Sequence, residues 1–179
     1  MDLPLEDGVT ITESASANPK NYYALSKWMS ESYLRLLENN AGYTVLCFRI
    51  PSLVHEEQQG GMVYTYWDSS RQNTDLDIYD NGQFRRNLIY IDSILEVVDM
   101  ALMKLTNYQG FKLYNIGSKD AWTQLEVAKY IYKRVGATAK ILPIDKSSAI
   151  RGHWNIDTSK SEEEIGFIPW STQEILDAY

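Results

Sequence analysis

The 179-residue sequence is short of the residues that build metal centres and disulfide frameworks: it has one cysteine, Cys47, and two histidines, His55 and His153. A single thiol excludes an internal disulfide and fits a reducing cytoplasm. The histidines are far apart, with no cysteine or carboxylate at ligand spacing, so no metal site is expected. No stretch approaches the ~18 continuous apolar residues of a membrane span. Residues Met1 to Asp7 have neither a basic start nor an apolar run and do not read as a secretory signal. Lys and Arg number 17 against 24 Asp and Glu, a formal charge of −7. That balance argues against nucleic-acid binding, which needs clustered cations, but a few placed arginines suffice for a small anionic ligand. Internal repeats and low-complexity tracts are also missing. What remains is 44% apolar, enough for the core of one cytoplasmic domain or for parts of two.

Residues 1–20 read as an irregular lead-in punctuated by Pro4, Gly8 and Pro19. Tyr22, Leu25, Trp28, Met29, Tyr33, Leu36 and Leu37 then recur at the spacing of an amphipathic helix, with Gly42 as a left-handed stop. Thr44 to Ile50 is a continuous apolar run, the pattern of a strand buried on both faces, ended by Pro51. Gly60 to Arg71 reads as an aromatic-rich helix. Leu76–Tyr79 and Asn87–Ile91 read as strands on either side of the Asp80-Asn81-Gly82 turn. Asp92 is placed to cap a helix carrying Ile94, Val97, Val98, Ala101, Leu102 and Leu105. Lys112 to Ile116 and Ile141 to Ile144 are further strands. Thr123 to Glu126 and Ser171 to Glu174 are capping boxes. Helices alternating with short apolar strands indicate an α/β protein with parallel sheet.

Tyr23 and Lys27 lie four residues apart on the first helix, which puts phenol and ammonium on one face. A neighbouring cation favours the phenolate and makes the tyrosine a usable proton acceptor. The spacing alone is ordinary on an exposed helix. Its surroundings are not: Asn18-Pro19 precedes it, Glu31 follows Lys27 by four, and a strand ending Phe48-Arg49-Ile50-Pro51 comes next. This order resembles the extended short-chain dehydrogenase family, the NAD-dependent nucleotide-sugar epimerases and dehydratases. Gly82 to Asp92, with Arg85, Arg86 and Asn87 before Leu88-Ile89-Tyr90-Ile91, is similar to a second family segment. Tyr114-Asn115-Ile116-Gly117 is similar to a third. Asp157-Thr158-Ser159-Lys160, Ile165-Gly166-Phe167 and Pro169 are similar to its closing pattern.

The resemblance implies the rear of a Rossmann-type doubly wound domain (residues 1–50 and 92–117) plus a small α/β substrate-binding domain (51–91 and 118–179). It implies that Tyr23 is the acid–base group and that Lys27 and Pro51 also line the NAD site. Ser52, Arg86 and Arg151 would meet a nucleotide-diphosphate sugar. The activity implied is that of a UDP-glucose 4-epimerase-like enzyme, or of a dehydratase or 4-ketoreductase. The helix of residues 21–40 would pair two copies. Several positions depart from the family pattern: Ser52 stands for an Asn, His55 and Glu56 for Gly-Pro, Asn87 for Asp and Ser93 for Asp. The glycine-rich turn that receives the cofactor pyrophosphate is missing, so the chain alone is not expected to hold NAD or to catalyse hydride transfer. A non-catalytic chain that binds nucleotide sugar or pairs with a homologue is the reading from another class. Loss of the first half would uncover residues 44–50 and 112–117 and promote self-association. Cys47 is expected to be a packed thiol, Glu162 to Glu164 a solvated helix face, and Tyr64, Tyr66 and Trp67 core, with a ring stacked on the nucleotide base as the alternative.

Overall fold

The structure is a computed structural model that describes residues 10–145 and 155–179. The chain runs β1 (Thr10–Ile11), α1 (Tyr22–Ala41), β2 (Val45–Arg49), β3 (Ser52–Val54), α2 (Gly61–Arg71), β4 (Leu76–Ile78), β5 (Arg85–Arg86), β6 (Leu88–Tyr90) and α3 (Ile91–Met103). It continues with β7 (Phe111–Asn115), β8 (Trp122–Thr123), α4 (Gln124–Val135), β9 (Ile141–Pro143), β10 (Asn155–Ile156), α5 (Ser159–Ile165) and α6 (Thr172–Ala178). Four strand pairs are parallel: β1 with β10, β2 with β7, β3 with β6 and β4 with β9. Among the described residues only β5 and β8 pair antiparallel. Parallel strands joined through helices are the arrangement expected from the alternating pattern.

Helix ends follow local chemistry. The Asn21 side chain accepts from the Ala24 N–H at 2.8 Å to open α1, and Gly42 closes it at φ 67°. Residues with a β-carbon are strained in this left-handed conformation, so glycine suits the position. Thr123 and Glu126 form a complete capping box at α4, as do Ser171 and Glu174 at α6. α3 differs from expectation. It begins at Ile91, with Tyr90 as the flanking residue and no side-chain cap, and Asp92 sits inside its first turn. There a carboxylate still complements the helix dipole.

β6 is the wall between two cores. Leu88 and Tyr90 face a cluster built from α2, β4, α4 and α6, including Trp67, Ile78, Ile131 and Leu176. Ile89 faces a second cluster with Val97 and Ala101 of α3, Tyr114, Ile116, Ile165 and Phe167. Alternation along one strand therefore feeds both sides. Tyr66 and Trp67 are core as expected, whereas Tyr64 is half-buried.

Other expectations need correcting. The strands around Asp80-Asn81-Gly82 form but do not pair with each other: β4 goes to β9 and β6 to β3. The turn is a short 3-10 segment with Asn81 at φ 53°, so the local turn signal does not produce a hairpin. The lead-in contains β1, whose pairing with β10 spans most of the chain. Every residue of β2 is half-buried rather than buried on both faces, while residues 113–117 of the β7 segment are fully covered. Glu164 is not merely solvated: it accepts the Tyr114 hydroxyl at 2.7 Å, and that bond together with burial pushes the tyrosine pKa up.

Candidate active site

α1 brings Tyr23 and Lys27 to one face, with the Lys27 ammonium 5.5 Å from the centre of the Tyr23 ring. Both line a cleft of about 420 Å³ between α1 and the carboxyl end of β2. Cys47, Arg49 and Pro51 form its strand side, and Ile11, Asn115 and Ile156 lie deeper along the paired strands. Tyr23 is 71% exposed, so its hydroxyl is open to a ligand.

The charges beneath this cleft are arranged asymmetrically. Glu31 sits one turn beyond Lys27, near enough in sequence to neutralise it. It is engaged elsewhere: Arg49 Nε and Nη2 donate to its two carboxylate oxygens at 2.9 and 2.8 Å. Both side chains are mostly covered, and the two-pronged geometry is the strong form of this contact. Arg49 also donates to the Glu13 carbonyl at 3.2 Å, and Glu13 Oε1 accepts from the Asn115 N–H at 2.7 Å. The Asn115 side chain donates to the Ile11 carbonyl at 2.9 Å. This network clamps α1, β2, β7 and the lead-in together. Among the described residues no carboxylate pairs with Lys27. Arg49 has taken the acid, and Lys27 lines the cleft without a described carboxylate partner.

Cys47 is half-buried on the cleft wall. Burial and the Glu31 charge push its thiol pKa up, with Arg49 and Arg35 opposing. A protonated thiol is a poor nucleophile or metal ligand. Among the described residues no group of His, Cys, Asp and Glu could hold a metal ion.

The remaining expected site residues are not gathered in this cleft. Pro51 is, and its ring lies against Gly117, where a β-carbon would stand 3.3 Å from Pro51 Cγ. Ser52, one residue on, is exposed and lines a separate hollow of about 260 Å³ with Val54, Gly61 and Met62. Strand alternation turns it to the other side. Arg86 lies on β5 opposite Trp122 rather than on a hairpin, and it is half-buried. Burial lowers its pKa from the usual arginine value, while Tyr66 nearby opposes that shift. Burial also pushes the Tyr66 hydroxyl up to about 12. No salt bridge reaches Arg86 among the described residues. Arg151 and His153 fall outside the described residues.

Two of the departures from the family pattern, Asn87 and Glu56, make structural contacts. Asn87 is 1% exposed, and its amide donates to the Ser118 and Asp120 carbonyls at 2.9 and 3.2 Å and to Ser118 Oγ at 3.0 Å. Its oxygen accepts from the Ile156 N–H at 2.8 Å. Glu56 accepts the Tyr90 hydroxyl. The Tyr90 ring stacks on Trp170 at 5.6 Å, and its pKa rises to about 12 chiefly through the Glu56 bond. Ser93 is buried, and its hydroxyl has no hydrogen-bond partner among the described residues. Sequence reasoning missed the role of Glu13. Its only signal was an acid in the lead-in, with no periodicity around it.

With this geometry in view, comparisons with known proteins converge. The sequence profile of the NAD dependent epimerase/dehydratase family matches residues 4–117. The chain is 24% identical over 163 residues to a dTDP-4-dehydro-6-deoxyglucose reductase of Escherichia coli, covering 88% of this chain and 50% of the relative. The UDP-glucose 4-epimerase of Thermotoga maritima, solved with UDP-glucose, superposes with a TM-score of 0.84 at 19% identity, covering 95% of this chain and 56% of that one. DesIV, a dTDP-glucose 4,6-dehydratase of Streptomyces venezuelae solved with NAD and TYD bound, gives 0.83 at 20% identity over 97% and 53%. These structures share the fold. The chain spans about half the length of the curated relatives it matches.

Proposed function

The chain belongs to the NAD dependent epimerase/dehydratase family, and from that premise we propose that it is the acid–base and substrate-binding part of a nucleotide-sugar 4-epimerase. The observation that carries the reading is the cleft in which Tyr23 stands open beside a Lys27 that no described carboxylate neutralises. Residues 1–50 and 92–117 would then be the remainder of a dinucleotide-binding domain, and 51–91 with 118–179 the substrate part. The first side-chain cluster lies wholly within 51–91 and 118–179 and supports that partition, whereas Ile89, Ile165 and Phe167 of that part pack with 92–117 in the second.

In this reading Tyr23 exchanges a proton with a sugar hydroxyl, since its exposed phenol is the acid–base group at the cleft mouth. Lys27 holds the ribose beside it, and Pro51 bounds the cleft at the end of β2. NAD, when bound, supplies the hydride acceptor. The described residues fit only the nicotinamide-ribose end of that cofactor. Gly60 and Gly61, the sole tandem glycines, open α2 well after β3 ends and do not form a strand-to-helix turn. Arg86 fits a substrate diphosphate, because a half-buried guanidinium without an acid partner favours an anion. Arg151 and Ser52 are assigned to the same ligand on the family resemblance, and the α1 surface to a second copy.

The reductase relative favours a dehydratase or 4-ketoreductase as the second reading. Calorimetric titration of the 179-residue chain with UDP and with UDP-glucose tests the shared element. Micromolar to millimolar binding that weakens about 10- to 150-fold in Arg86→Ala is expected, since a charge-assisted hydrogen bond contributes roughly 1.5–3 kcal/mol. Absence of nucleotide binding would overturn the substrate assignment. Where the chain works within a complete enzyme, Tyr23→Phe should cut turnover by roughly 10²–10⁴ while leaving that binding intact.

A further inference from the structure

Two donors meet between α2 and β5, and neither has an acceptor among the described residues. Arg86 is half-buried, and no salt bridge reaches it. Tyr66 of α2 is only 6% exposed, and its hydroxyl donates to no described acceptor. A buried phenol ordinarily finds a partner. Tyr90, Tyr114 and Tyr132 do so in this chain, donating to Glu56, to Glu164 and to the Thr74 carbonyl. Tyr108 is another exception, but its charged neighbour is the Glu164 carboxylate rather than a cation.

Simple periodicities bring the two together. Tyr66 lies one turn after Met62, so both project from one face of α2. Arg86 lies two residues before Leu88, and strand alternation puts them on the same side. Asn87 between them turns the other way, to Ser118. Met62 and Leu88 are walls of the hollow of about 260 Å³ that Ser52 also lines. Tyr66 and Arg86 therefore stand one step beyond that hollow, each carrying its wall onward. The guanidinium is close enough to bear on the phenol, yet burial outweighs it and pushes the phenol pKa up to about 12. At neutral pH the pair is a cation beside a protonated hydroxyl, an arrangement that suits an anion.

We propose that Tyr66 is a second phosphate-binding residue, and that its hydroxyl and the Arg86 guanidinium donate to the same phosphoryl group of the nucleotide-diphosphate ligand. The inference deepens the substrate assignment of Arg86 and rests on it, while the Tyr23 cleft takes no part. Neither donor has a described protein acceptor, so a ligand without an ionised group at this place leaves both unpaired. The pair thus selects for the phosphorylated part of the ligand rather than for its sugar or its base.

The test is calorimetric titration of the 179-residue chain with UDP and with inorganic pyrophosphate, in wild type, Tyr66→Phe, Arg86→Ala and the double variant. Tyr66→Phe should weaken both ligands about tenfold, since it removes a hydrogen bond to a charged group. The same variant without ligand should melt at or above the wild-type temperature, because the hydroxyl it loses is buried and unpaired by the protein. In the Arg86→Ala background the loss should shrink below about threefold, as expected of two donors on one group. UDP binding that weakens in Arg86→Ala but ignores Tyr66→Phe would overturn the Tyr66 role and leave the substrate reading standing. A loss for UDP with pyrophosphate unaffected would put the hydroxyl on the nucleoside and overturn it as well. A lower melting temperature with unchanged binding would make the hydroxyl structural and overturn it too. Pyrophosphate binding that weakens in both single variants, without UDP binding, would uphold the donor pair and overturn the nucleotide reading. Binding of neither ligand would overturn both.

Discussion

α1 and α4 begin and end alike and share little else. Each opens on a side-chain cap, Asn21 or Thr123, and closes on a left-handed glycine, Gly42 at φ 67° or Gly136 at φ 75°. α4 spans 12 residues and buries Val127, Ala128, Ile131 and Tyr132. α1 spans 20, and of its described side chains only Ala24 is buried. Local chemistry sets where a helix starts and stops, while neighbours decide whether its apolar residues stabilise anything. The α4 side has those neighbours within the chain, with α2, β4 and α6 around one cluster. The α1 side has only β2 and β7 against it among the described residues.

The contrast can be broken most sharply in the α4 core. Ile131 is fully buried, so Ile131→Ala should cost about 2–5 kcal/mol in urea unfolding, while Leu36→Ala on α1 should stay within about 0.5 kcal/mol. A large loss at Leu36 in the isolated chain would mean that α1 is already covered. Asn87→Ala strands the Ile156 amide and several carbonyls, and should cost about 2–3 kcal/mol by the same assay. Removing the caps compares the two helices directly. Thr123→Ala should cost about 1 kcal/mol of global stability, and Asn21→Ala should appear chiefly as local fraying of α1 amides.

The smallest effect concerns pH. Hydrogen bonding to Tyr90 lowers the Glu56 pKa, so that contribution is present above the ordinary glutamate value and fades as pH falls through the lowered one. The Tyr90 pKa is raised to about 12, so its contribution is complete below about 10 and fades as pH rises towards the raised value. Chemical unfolding of wild type and Tyr90→Phe across pH should therefore show a constant gap from about pH 5 to 10 that narrows on both sides.

Much of this was legible in the sequence because its signals are local. The capping boxes at Thr123 and Ser171, the stops at Gly42 and Gly136, and the Tyr23–Lys27 spacing each depend on a few adjacent residues. What escaped depends on pairing at a distance. Asp80-Asn81-Gly82 carries the chemistry of a hairpin turn, yet β4 and β6 find parallel partners far along the chain. Glu31 was visible one turn after Lys27, but nothing nearby announces that Arg49 claims it. Glu13 and Ile11 matter only through Asn115, and no period marks such a contact. Incomplete burial is the expectation for residues 44–50 and 112–117 alike; β2 is half-buried, but residues 113–117 are buried, because α3, α5 and Phe167 pack over them.

The short pairing of β1 with β10 bears on how the chain folds. Thr10 stands opposite Asn155 and Ile11 opposite Ile156, with the Asn155 amide donating to Thr10 Oγ1 at 3.1 Å. These contacts close almost the longest loop the chain can make, for very few backbone bonds. Such closure carries a large entropic cost and follows contacts of shorter span. Yet Ile11 lines the cleft, and its carbonyl receives Asn115. The strand floor beneath Tyr23 and Lys27 is therefore expected to order after the α4 core, which pulse-labelled amide exchange at Ile11 and Ile131 during refolding would check.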